Sequence, residues 1–395
     1  KYRRFLQANV DTDSFIERQL VDTGYIARAT GQYLRCLYDE PHRVLGLKGQ
    51  FTAELRHQWG LGEILSELPD SPAWAEQADL RPGEKNRADH RHHAVDAIVQ
   101  ALTDRRRLHE LARIRRDGGT RATGEALPDP WKNFRDDVEA TLCRINVSHR
   151  PQRGIAGALH EDTRYGPTEQ PAAWVVRKPL IELTPNEIPM IRDLAVRRIV
   201  EKRLADHGIE FGRGKKGDAK SWKAALNNVA MPSGVPIRKV RLLKNDKTIQ
   251  PIAAGESNAH VKPGATHHVA IFEWPDNGKA KRDAVFVTML DAAKRIKAGL
   301  PPIQRTPPIN HSRIPADARF VMSLSRGEIV LIRERGQETP FCFSTAAQTT
   351  GQMWFYPITD ARKGKERAKR SFNPSTLDAR KVTIDPLGRI RDAND

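Results

Sequence analysis

The stretch Asn86–Ile98, NRADHRHHAVDAI, carries the densest chemistry of the chain and decides how the sequence around it is interpreted. Apolar residues recur at helical spacing from His90 to about Leu108, and Asp89 stands where a helix N-cap is expected. The pattern predicts one helix over these residues, opening with polar side chains.

Three titratable residues of this predicted helix fall on one face. His93 and Asp96 are three residues apart, and His92 and Asp96 are four apart. A metal-assisted phosphodiesterase uses a carboxylate to hold Mg²⁺ and a neutral imidazole to accept a proton from the attacking water. A surface helix that begins with polar residues behind an aspartate cap shows the same pattern, so spacing alone leaves both interpretations open.

The segments on either side of this helix predict a mixture of helix and strand. Apolar spacing indicates a helix over Phe15–Leu37, a strand over Arg43–Leu47 and a second helix over Phe51–Trp59. A loop is expected over Arg113–Pro130 and a short helix over Trp131–Leu142. A strand followed by a helix is the elementary unit of an α/β layer, so this third of the chain is expected to be α/β.

Beyond Pro151 the composition shifts toward Gly, Pro and basic residues, and an α+β organisation is expected. Extended segments at Trp174–Val176 and Arg238–Leu243 flank a basic amphipathic helix at Ile188–Leu204. The last third predicts one helix, Leu290–Ala298, and six strands separated by turn residues: His268–Phe272, Ala284–Val287, Phe320–Met322, Ile329–Ile332, Gln352–Phe355 and Lys381–Ile384.

The charge of the chain favours a polyanionic partner. Its 395 residues contain 66 Lys and Arg against 49 Asp and Glu, a formal net charge of +17. Such an excess binds phosphate backbones through direct contact and counterion release, so nucleic acid is the leading partner class. Four basic clusters are candidates for backbone contact, although each is equally consistent with a solvated loop: Arg105–Arg107, Arg113–Arg116, Arg213–Lys223 and Arg362–Arg370.

Several functional classes are disfavoured. No apolar run approaches the roughly 18 residues of a spanning helix and no signal peptide opens the chain, so we expect a soluble, cytoplasmic protein with no membrane partner. Cys36, Cys143 and Cys342 lie far apart without CxxC spacing, which argues against a disulfide framework or a zinc site. We expect all three to be small buried hydrophobic residues. The pair His267–His268 opens an apolar strand without a carboxylate at ligand spacing and is expected to be structural.

The segment His92–Ala97, of pattern His-His-Ala-x-Asp-Ala, resembles the third RuvC segment of the type II CRISPR RNA-guided DNA endonucleases. The resemblance spans essentially the whole chain and is strongest around His93. It implies an RNase H-like (RuvC) fragment over residues 1–150, a mixed wedge domain over 151–265 and a β-rich domain over 266–395 that reads the protospacer-adjacent motif (PAM). Other stretches resemble the compact type II-C members in the same order: Phe15–Thr23, Lys48–Leu61, Ser148–Pro151, Gly157–Gly166, Phe320–Leu324 and Ile384–Ile390.

Transferred position by position, the resemblance implies that His93 is the catalytic general base, that Asp96 coordinates metal and that His92 orients the site. Both His93 and Asp96 would belong to the metal centre, where the family uses two Mg²⁺ ions. The family's other acidic ligands come from two earlier segments that are not found here, and neither an HNH histidine nor a bridge helix is found. We therefore expect a piece of a longer nuclease that is inactive alone.

The resemblance also implies binding residues. The family reads its PAM with the last domain, whose matching segment here is Phe343–Trp354. In an extended segment Gln348, Thr350 and Gln352 would share one face, and Gln can pair with the adenine edge in the major groove. These three residues are therefore expected to bind PAM DNA, although an ordinary hairpin with polar solvent-facing residues fits equally well.

The junction of nuclease and wedge domains, where the family holds the guide repeat duplex, contains Ser148, His149 and Arg150. These residues are expected to bind guide RNA. The implied partners are a guide RNA of crRNA with tracrRNA, double-stranded target DNA and the missing N-terminal part of the same protein. A non-catalytic RNA- or DNA-binding protein derived from such a nuclease remains the alternative, and a self-contained RuvC-like resolvase is a weaker one.

Overall fold

The computed structural model divides by its contacts into two compact units. The first consists of Lys1–Ile145 and Thr359–Glu366, and the second of Asn146–Ile358 and Arg367–Asp395. The structure describes residues 13–47, 49–69, 71–73, 85–116, 127–212, 214, 219–252, 259–309, 311–348, 350–364, 366–367 and 369–393.

The first unit is helical throughout its described residues. Its core surrounds Trp59 and Phe134, whose rings meet edge to face with centroids 5.7 Å apart. Burial of such aromatic and aliphatic side chains is the main favourable contribution to folding. Its helices are α1 (Asp13–Arg35), α2 (Gly49–Gln58), α3 (Ile64–Glu67), α4 (His92–Ala101), α5 (Arg105–Arg116) and α6 (Phe134–Cys143), with a 3₁₀ turn at Pro41–Arg43.

The strand predicted at Arg43–Leu47 is wrong. Pro41 opens the 3₁₀ turn, and the residues that follow it form no strand. A short apolar run becomes a strand only where another strand pairs with it, and the described part of this unit offers one isolated bridge, between Asp89 and Asp360. Leu45 remains 41% exposed. The helices predicted nearby, at Phe15–Leu37 and Phe51–Trp59, are confirmed to within two residues as α1 and α2.

The single helix predicted from His90 to Leu108 is two helices, α4 and α5. Asp104 ends the continuity, because its side-chain oxygen accepts the Arg107 backbone N–H at 2.7 Å and caps the start of α5. Just before it, the Thr103 hydroxyl donates to the Val99 carbonyl at 2.6 Å. Asp and Ser/Thr side chains compete in this way with main-chain helix bonds.

The ends of the neighbouring segments also differ from the prediction. Helix α5 continues to Arg116, inside the loop expected at Arg113–Pro130, and residues 117–126 of that loop lie outside the described residues. The helix expected at Trp131–Leu142 is confirmed as α6, which begins three residues later, after Asn133 in the left-handed region (φ 62°).

The described residues of the second unit form three antiparallel sheets. Their strand orders are β3-β2-β1-β5-β4, β7-β6-β8 and β12-β11-β10-β9-β13-β14. The strands are β1 (His160–Pro167), β2 (Ala173–Pro179), β3 (Lys239–Asn245), β4 (Gln250–Pro251), β5 (His260–Pro263), β6 (Thr266–Asp276), β7 (Lys279–Thr288), β8 (Arg319–Ser325), β9 (Ile329–Glu334), β10 (Gln337–Ala347), β11 (Gln352–Pro357), β12 (Arg370–Phe372), β13 (Ala379–Ile384) and β14 (Ile390–Asp392). All strands predicted in this part of the chain are confirmed, with somewhat greater lengths.

Three α-helices and two 3₁₀ segments accompany these sheets. The helix predicted at Ile188–Leu204 is interrupted: Pro189 lies in a 3₁₀ segment, and the regular helix starts after Asp193, which accepts the Ala195 backbone N–H at 2.9 Å. The helices are α7 (Leu194–Asp206), α8 (Ala219–Leu226) and α9 (Met289–Lys297), and the 3₁₀ segments are Leu180–Glu182 and Pro185–Met190.

The expectations about membrane-spanning helices and about the cysteines can be compared with the fold. None of the helices in the described residues combines the length and the apolar character that crossing a bilayer requires. Cys342 is fully buried as expected, but Cys36 and Cys143 are exposed, so the expectation of three buried cysteines is wrong for these two. Both lie at the C-terminal ends of helices, Cys36 just after α1 and Cys143 as the last residue of α6.

Candidate active site on helix α4

Helix α4 is held by its apolar side and presents its polar side outward. Val95 and Val99 are buried in the core of the first unit, whereas His93 is exposed. Asp96 lies one turn further along the helix, with 29% of its side chain exposed. The imidazole of His93 and the carboxylate of Asp96 therefore occupy the accessible side of one helix, as their spacing predicts.

His92 is the buried member of the histidine pair. Its Nδ1 lies 2.6 Å from the Asp89 carbonyl oxygen, so Nδ1 carries the proton and donates, which leaves Nε2 as the unprotonated nitrogen. Burial lowers the pKa of His92, and this effect outweighs the hydrogen bond to Asp89, which raises it. The net lowering of the pKa favours the neutral ring. The His92 and His93 rings are 4.0 Å apart between centroids. His92 therefore supports the neighbouring ring from inside the fold.

Two cationic side chains, for which the sequence predicts no role, pair with the Asp96 carboxylate. Arg56, from α2, donates through Nη1 to Asp96 Oδ1 at 3.1 Å, and Lys85 pairs with Oδ2. Arg56 is almost completely buried, between Leu55 and Trp59 of the core. One sequence signal could have identified Arg56, namely a charged residue inside the apolar stripe of a helix. Because unpaired charges are almost never fully buried, such a residue implies a partner of opposite charge.

A small cavity adjoins this carboxylate. It measures about 10 Å³ and is bordered by Arg56, Lys85, His92 and Asp96 together with the apolar side chains of Leu61, Leu65 and Val95. That volume is close to the minimum for one water molecule. The Arg56 Nε is buried and makes no hydrogen bond within the described part of the chain.

The donor set fits one part of a magnesium site. Mg²⁺ takes carboxylate oxygens in proteins, and Asp96 supplies one such group on the accessible side of α4. No group of three or more His, Cys, Asp and Glu side chains that could hold a metal occurs among the described residues. These residues can therefore contribute a carboxylate ligand to a metal centre and cannot by themselves enclose one.

The residues expected to read PAM DNA do not lie along one extended segment, so the prediction that they share one face is wrong. The chain reverses between β10 and β11: Gln348 and Thr350 lie in the turn, and Gln352 is the first residue of β11. Gly351 (φ 69°) donates its N–H to the Ala347 carbonyl at 2.9 Å and closes this turn. Gln348 and Thr350 are exposed, and Gln352 is half-buried.

Two of the three residues expected to bind guide RNA have partners inside the second unit. The Ser148 hydroxyl donates to the Ile384 carbonyl at 2.7 Å, and His149 Nε2 lies 2.7 Å from the Ile358 carbonyl. Burial lowers the pKa of His149, with a smaller lowering from the charge of Arg367. The side chain of Arg150 is exposed. Ser148 is exposed as well, so a ligand could meet Ser148 or Arg150 directly, whereas His149 is half-buried.

The other singled-out residues have structural partners. His267 and His268 are buried, their Nδ1 atoms are 2.8 Å apart, and His268 Nε2 accepts the Gln304 backbone N–H at 3.0 Å, in agreement with a structural role. In the first basic cluster, Arg107 pairs with Asp104, Arg106 with Glu110, and Arg105 donates to the His42 carbonyl. Residues 213, 215–218, 365 and 368 of the later clusters lie outside the described residues.

Comparison with known proteins shows similarity first to a nuclease subdomain and then to larger nucleases that contain it. Residues 11–155, which include α4, match the family model described as RuvC endonuclease subdomain 3. This part of the chain is therefore similar to a nuclease subdomain of the RuvC type. CRISPR-associated endonuclease Cas9 1 of Streptococcus thermophilus is 33% identical over 98 residues, which are 24% of this chain and 7% of that protein.

Solved structures extend the likeness over nearly the whole chain. Two crystal structures of Streptococcus thermophilus Cas9, in complex with AGGA PAM and with the AGAA PAM, match with TM-scores of 0.51 and 0.50 and identities of 15% and 16%. Each match covers 96% of this chain and 39% or 38% of the other, so the chain spans less than two fifths of their length. The resemblance to the C-terminal portion of a type II CRISPR endonuclease is confirmed, as is its mixed helix-and-sheet fold.

Proposed function

We propose that this chain is the C-terminal part of an RNA-guided DNA endonuclease and supplies His93 and Asp96 to its RuvC site. The observation that carries the proposal is the geometry of α4: an exposed imidazole and a cation-held carboxylate share the accessible side of a helix within a RuvC subdomain. His93 accepts a proton from the attacking water while a new bond to phosphorus forms and the bridging oxygen departs. His92, neutral and buried, orients the His93 ring.

RuvC nucleases are generally dependent on divalent metal, and Mg²⁺ supplies charge stabilisation at the phosphate when it is bound. In the proposed site Asp96 is one protein ligand and His93 stands beside it. The remaining carboxylates come from the N-terminal part of the same protein, so this chain alone is inactive. The exposed apolar side chains of α1 and the residues after it support such a partner, because they leave a surface to be covered: Tyr25, Ile26, Tyr33, Leu34, Leu37 and Tyr38.

A cationic face on the first sheet supports guide RNA as a second partner. Arg177 of β2 and Arg241 of β3 are directly opposite in register, and both are exposed. Like charges in that position destabilise a sheet, and in the described part of the chain neither guanidinium pairs with a carboxylate. Lys239 lies on the same face, two residues from Arg241. A phosphate backbone relieves this repulsion.

In this proposal the turn that carries Gln348 and Thr350, with Gln352 at its end, reads PAM DNA beside the target. The exposed amide of Gln348 suits an adenine edge. Arg150 contacts the guide RNA, whereas Ser148 and His149 shape the main chain around it. The work of the complex takes place in the bacterial cytoplasm, where guide and target meet.

RNA binding is tested by titrating a duplex RNA with the whole chain at several salt concentrations. The double variant Arg177→Glu with Arg241→Glu should weaken binding and reduce the steepness of its salt dependence. The matched control, Lys279→Glu with Arg335→Glu, makes the same charge change at exposed hairpin positions of the other sheets. Equal losses in the two double variants would show that net charge, rather than this face, determines binding.

The alternative function, a non-catalytic RNA- or DNA-binding protein derived from such a nuclease, is favoured by the same net charge of +17. Both candidates bind RNA, so cleavage separates them. The chain is combined with guide RNA, labelled target DNA, Mg²⁺ and an N-terminal portion that carries the earlier RuvC segments. Cleavage that is restored in the mixture and lost in His93→Ala supports the endonuclease.

A further inference from the structure

A peptide from the far end of the chain belongs to the helical unit. The segment Thr359–Glu366, which follows β11 in sequence, is here called the 359–366 segment. It pairs with the main chain just before α4: the His90 N–H donates to the Thr359 carbonyl and the Ala361 N–H to the Ala88 carbonyl, each at 2.8 Å. These two bonds form an antiparallel bridge.

Each side of this bridge carries the same Asp-x-Arg arrangement. Arg91 donates to Asp89 from its backbone N–H (2.8 Å), Nε (3.0 Å) and Nη2 (2.6 Å). Arg362 donates to Asp360 from the same three groups, each at 3.0 Å. Both carboxylates have no exposed surface. A buried carboxylate is tolerated only where several donors surround it, and the bridge meets this condition with two buried Asp–Arg ion pairs, together with the Ser71 hydroxyl, which donates to Asp89 at 2.6 Å.

The bridge determines where α4 begins. The helix starts at His92 with no side-chain cap on its N-terminus, and the Asp89 side chain, expected to cap a helix, serves the Arg91 turn instead. The Asp89 carbonyl accepts the His92 ring N–H, and the His90 carbonyl accepts the His93 backbone N–H at 3.2 Å. The two carbonyls that fix the site histidines thus belong to residues paired with the 359–366 segment.

We propose that the 359–366 segment is a strut for the active-site helix, with Asp360 and Arg362 as positioning residues for His92 and His93. The strut itself rests on the geometry alone, and its link to catalysis rests on the proposed function. Residues 359–366 lie outside the matched subdomain at 11–155, so completion of the site by this segment is not contained in that match. A substitution in the β-rich part of the chain therefore acts on a helix that precedes it by most of the sequence.

The test is hydrogen exchange by mass spectrometry on the whole chain, together with the NMR signal of the His92 ring N–H. In Asp360→Ala, amides of residues 92–96 should exchange at least about tenfold faster, the factor expected when a buried hydrogen-bonding group loses its partner. The His92 ring signal should broaden or disappear. Amides of α2 and α6 should keep their wild-type rates, which excludes general destabilisation.

The matched control is Asp385→Ala. Asp385 also closes a turn by accepting backbone N–H groups, from Leu387 at 3.0 Å and Arg389 at 2.9 Å, but in the second unit. It should leave residues 92–96 unchanged. If Asp360→Ala fails to fold by circular dichroism, Asp360→Asn with Arg362→Met removes both charges and is measured instead.

Faster exchange confined to residues 359–366, with residues 92–96 and the His92 signal unchanged in the folded variant, would overturn the strut. This outcome is independent of cleavage, because neither readout needs a nuclease. Failure of the endonuclease proposal would leave accelerated exchange in α4 intact, so the two failures are distinguishable.

Discussion

Replacement of Arg56 by Met tests whether the Asp96 carboxylate depends on a buried cation. The Arg56 side chain is 11% exposed, and its Nη1 donates to Asp96 Oδ1 at 3.1 Å. Lys85, the other partner of Asp96, is 20% exposed and remains in the variant. Arg56→Met therefore removes one of two cations from a partly buried carboxylate while it preserves most of the volume in the core.

The expected cost follows from three contributions. Loss of a hydrogen bond to a charged group costs about 1.5–3 kcal/mol, and the change of shape adds less than about 1.5 kcal/mol. Removal of the buried Nε, which makes no hydrogen bond within the described residues, offsets part of this. We expect a loss near 2 kcal/mol in the unfolding free energy of the helical unit, or roughly 4–8 °C in its Tm.

Calorimetry of the whole chain measures the change, with hydrogen exchange of α6 identifying the transition of the helical unit. The control is Arg135→Met, which removes an exposed pair with Glu67 (side chains 35% and 49% exposed) and should cost less than about 1 kcal/mol. Equal shifts in the two variants, or a higher Tm in Arg56→Met, would refute a supporting role for Arg56 at Asp96.

Three further predictions concern the cysteines of the chain and two positions in the second unit. Burial raises the pKa of the Cys342 thiol to about 11, so a thiol reagent at neutral pH should modify the two exposed cysteines of the native chain and reach Cys342 only after unfolding. Rapid modification of all three cysteines in the native chain would contradict this. Gly327→Ala should lower the free energy of unfolding in urea by about 3 kcal/mol or more, because φ is +88° and a Cβ would lie 2.6 Å from the residue 150 carbonyl oxygen. The control Gly278→Ala (φ +75°, no atom within 4 Å of the added Cβ) should cost about 1 kcal/mol, and similar losses in the two variants would exclude the close approach at Gly327. Burial lowers the pKa of His149 below 6.5, so the fold favours the neutral ring, and the stability that this ring contributes above pH 6.5 is lost as the pH falls toward the lowered pKa. Between roughly pH 7 and 5 the urea midpoint of His149→Asn should therefore decline less than that of the wild type, and equal declines would show that another group causes the acid sensitivity.

Local pattern determined much of the fold in advance. The strands β6, β8 and β9 are continuous apolar runs bounded by turn residues, and α1 has helical spacing over its whole length, so both types were predicted from sequence. The Arg43–Leu47 run shows the limit of the same reasoning, because whether an apolar run pairs depends on what lies beside it. The break between α4 and α5 depends on Asp104 acting as a cap instead of a surface residue.

The candidate site was predictable only in its local part. His92, His93 and Asp96 stand within five residues, so helical spacing brings them together. Arg56 reaches Asp96 from forty residues earlier, and Asp360 reaches the start of α4 from near the other end of the chain. Contacts of such separation arise from the packing of elements and leave no periodic signal in one sequence.

The measurement that tests the central claim most directly is Mg²⁺-dependent cleavage of labelled target DNA with guide RNA and the N-terminal portion supplied in trans. The wild-type chain should cut only in that mixture, His93→Ala and Asp96→Ala should abolish the cut, and Gln100→Ala, an exposed change on the same helix, should preserve it. Undiminished cleavage with His93→Ala, or cleavage by the chain alone that Asp96→Ala removes, would contradict the account.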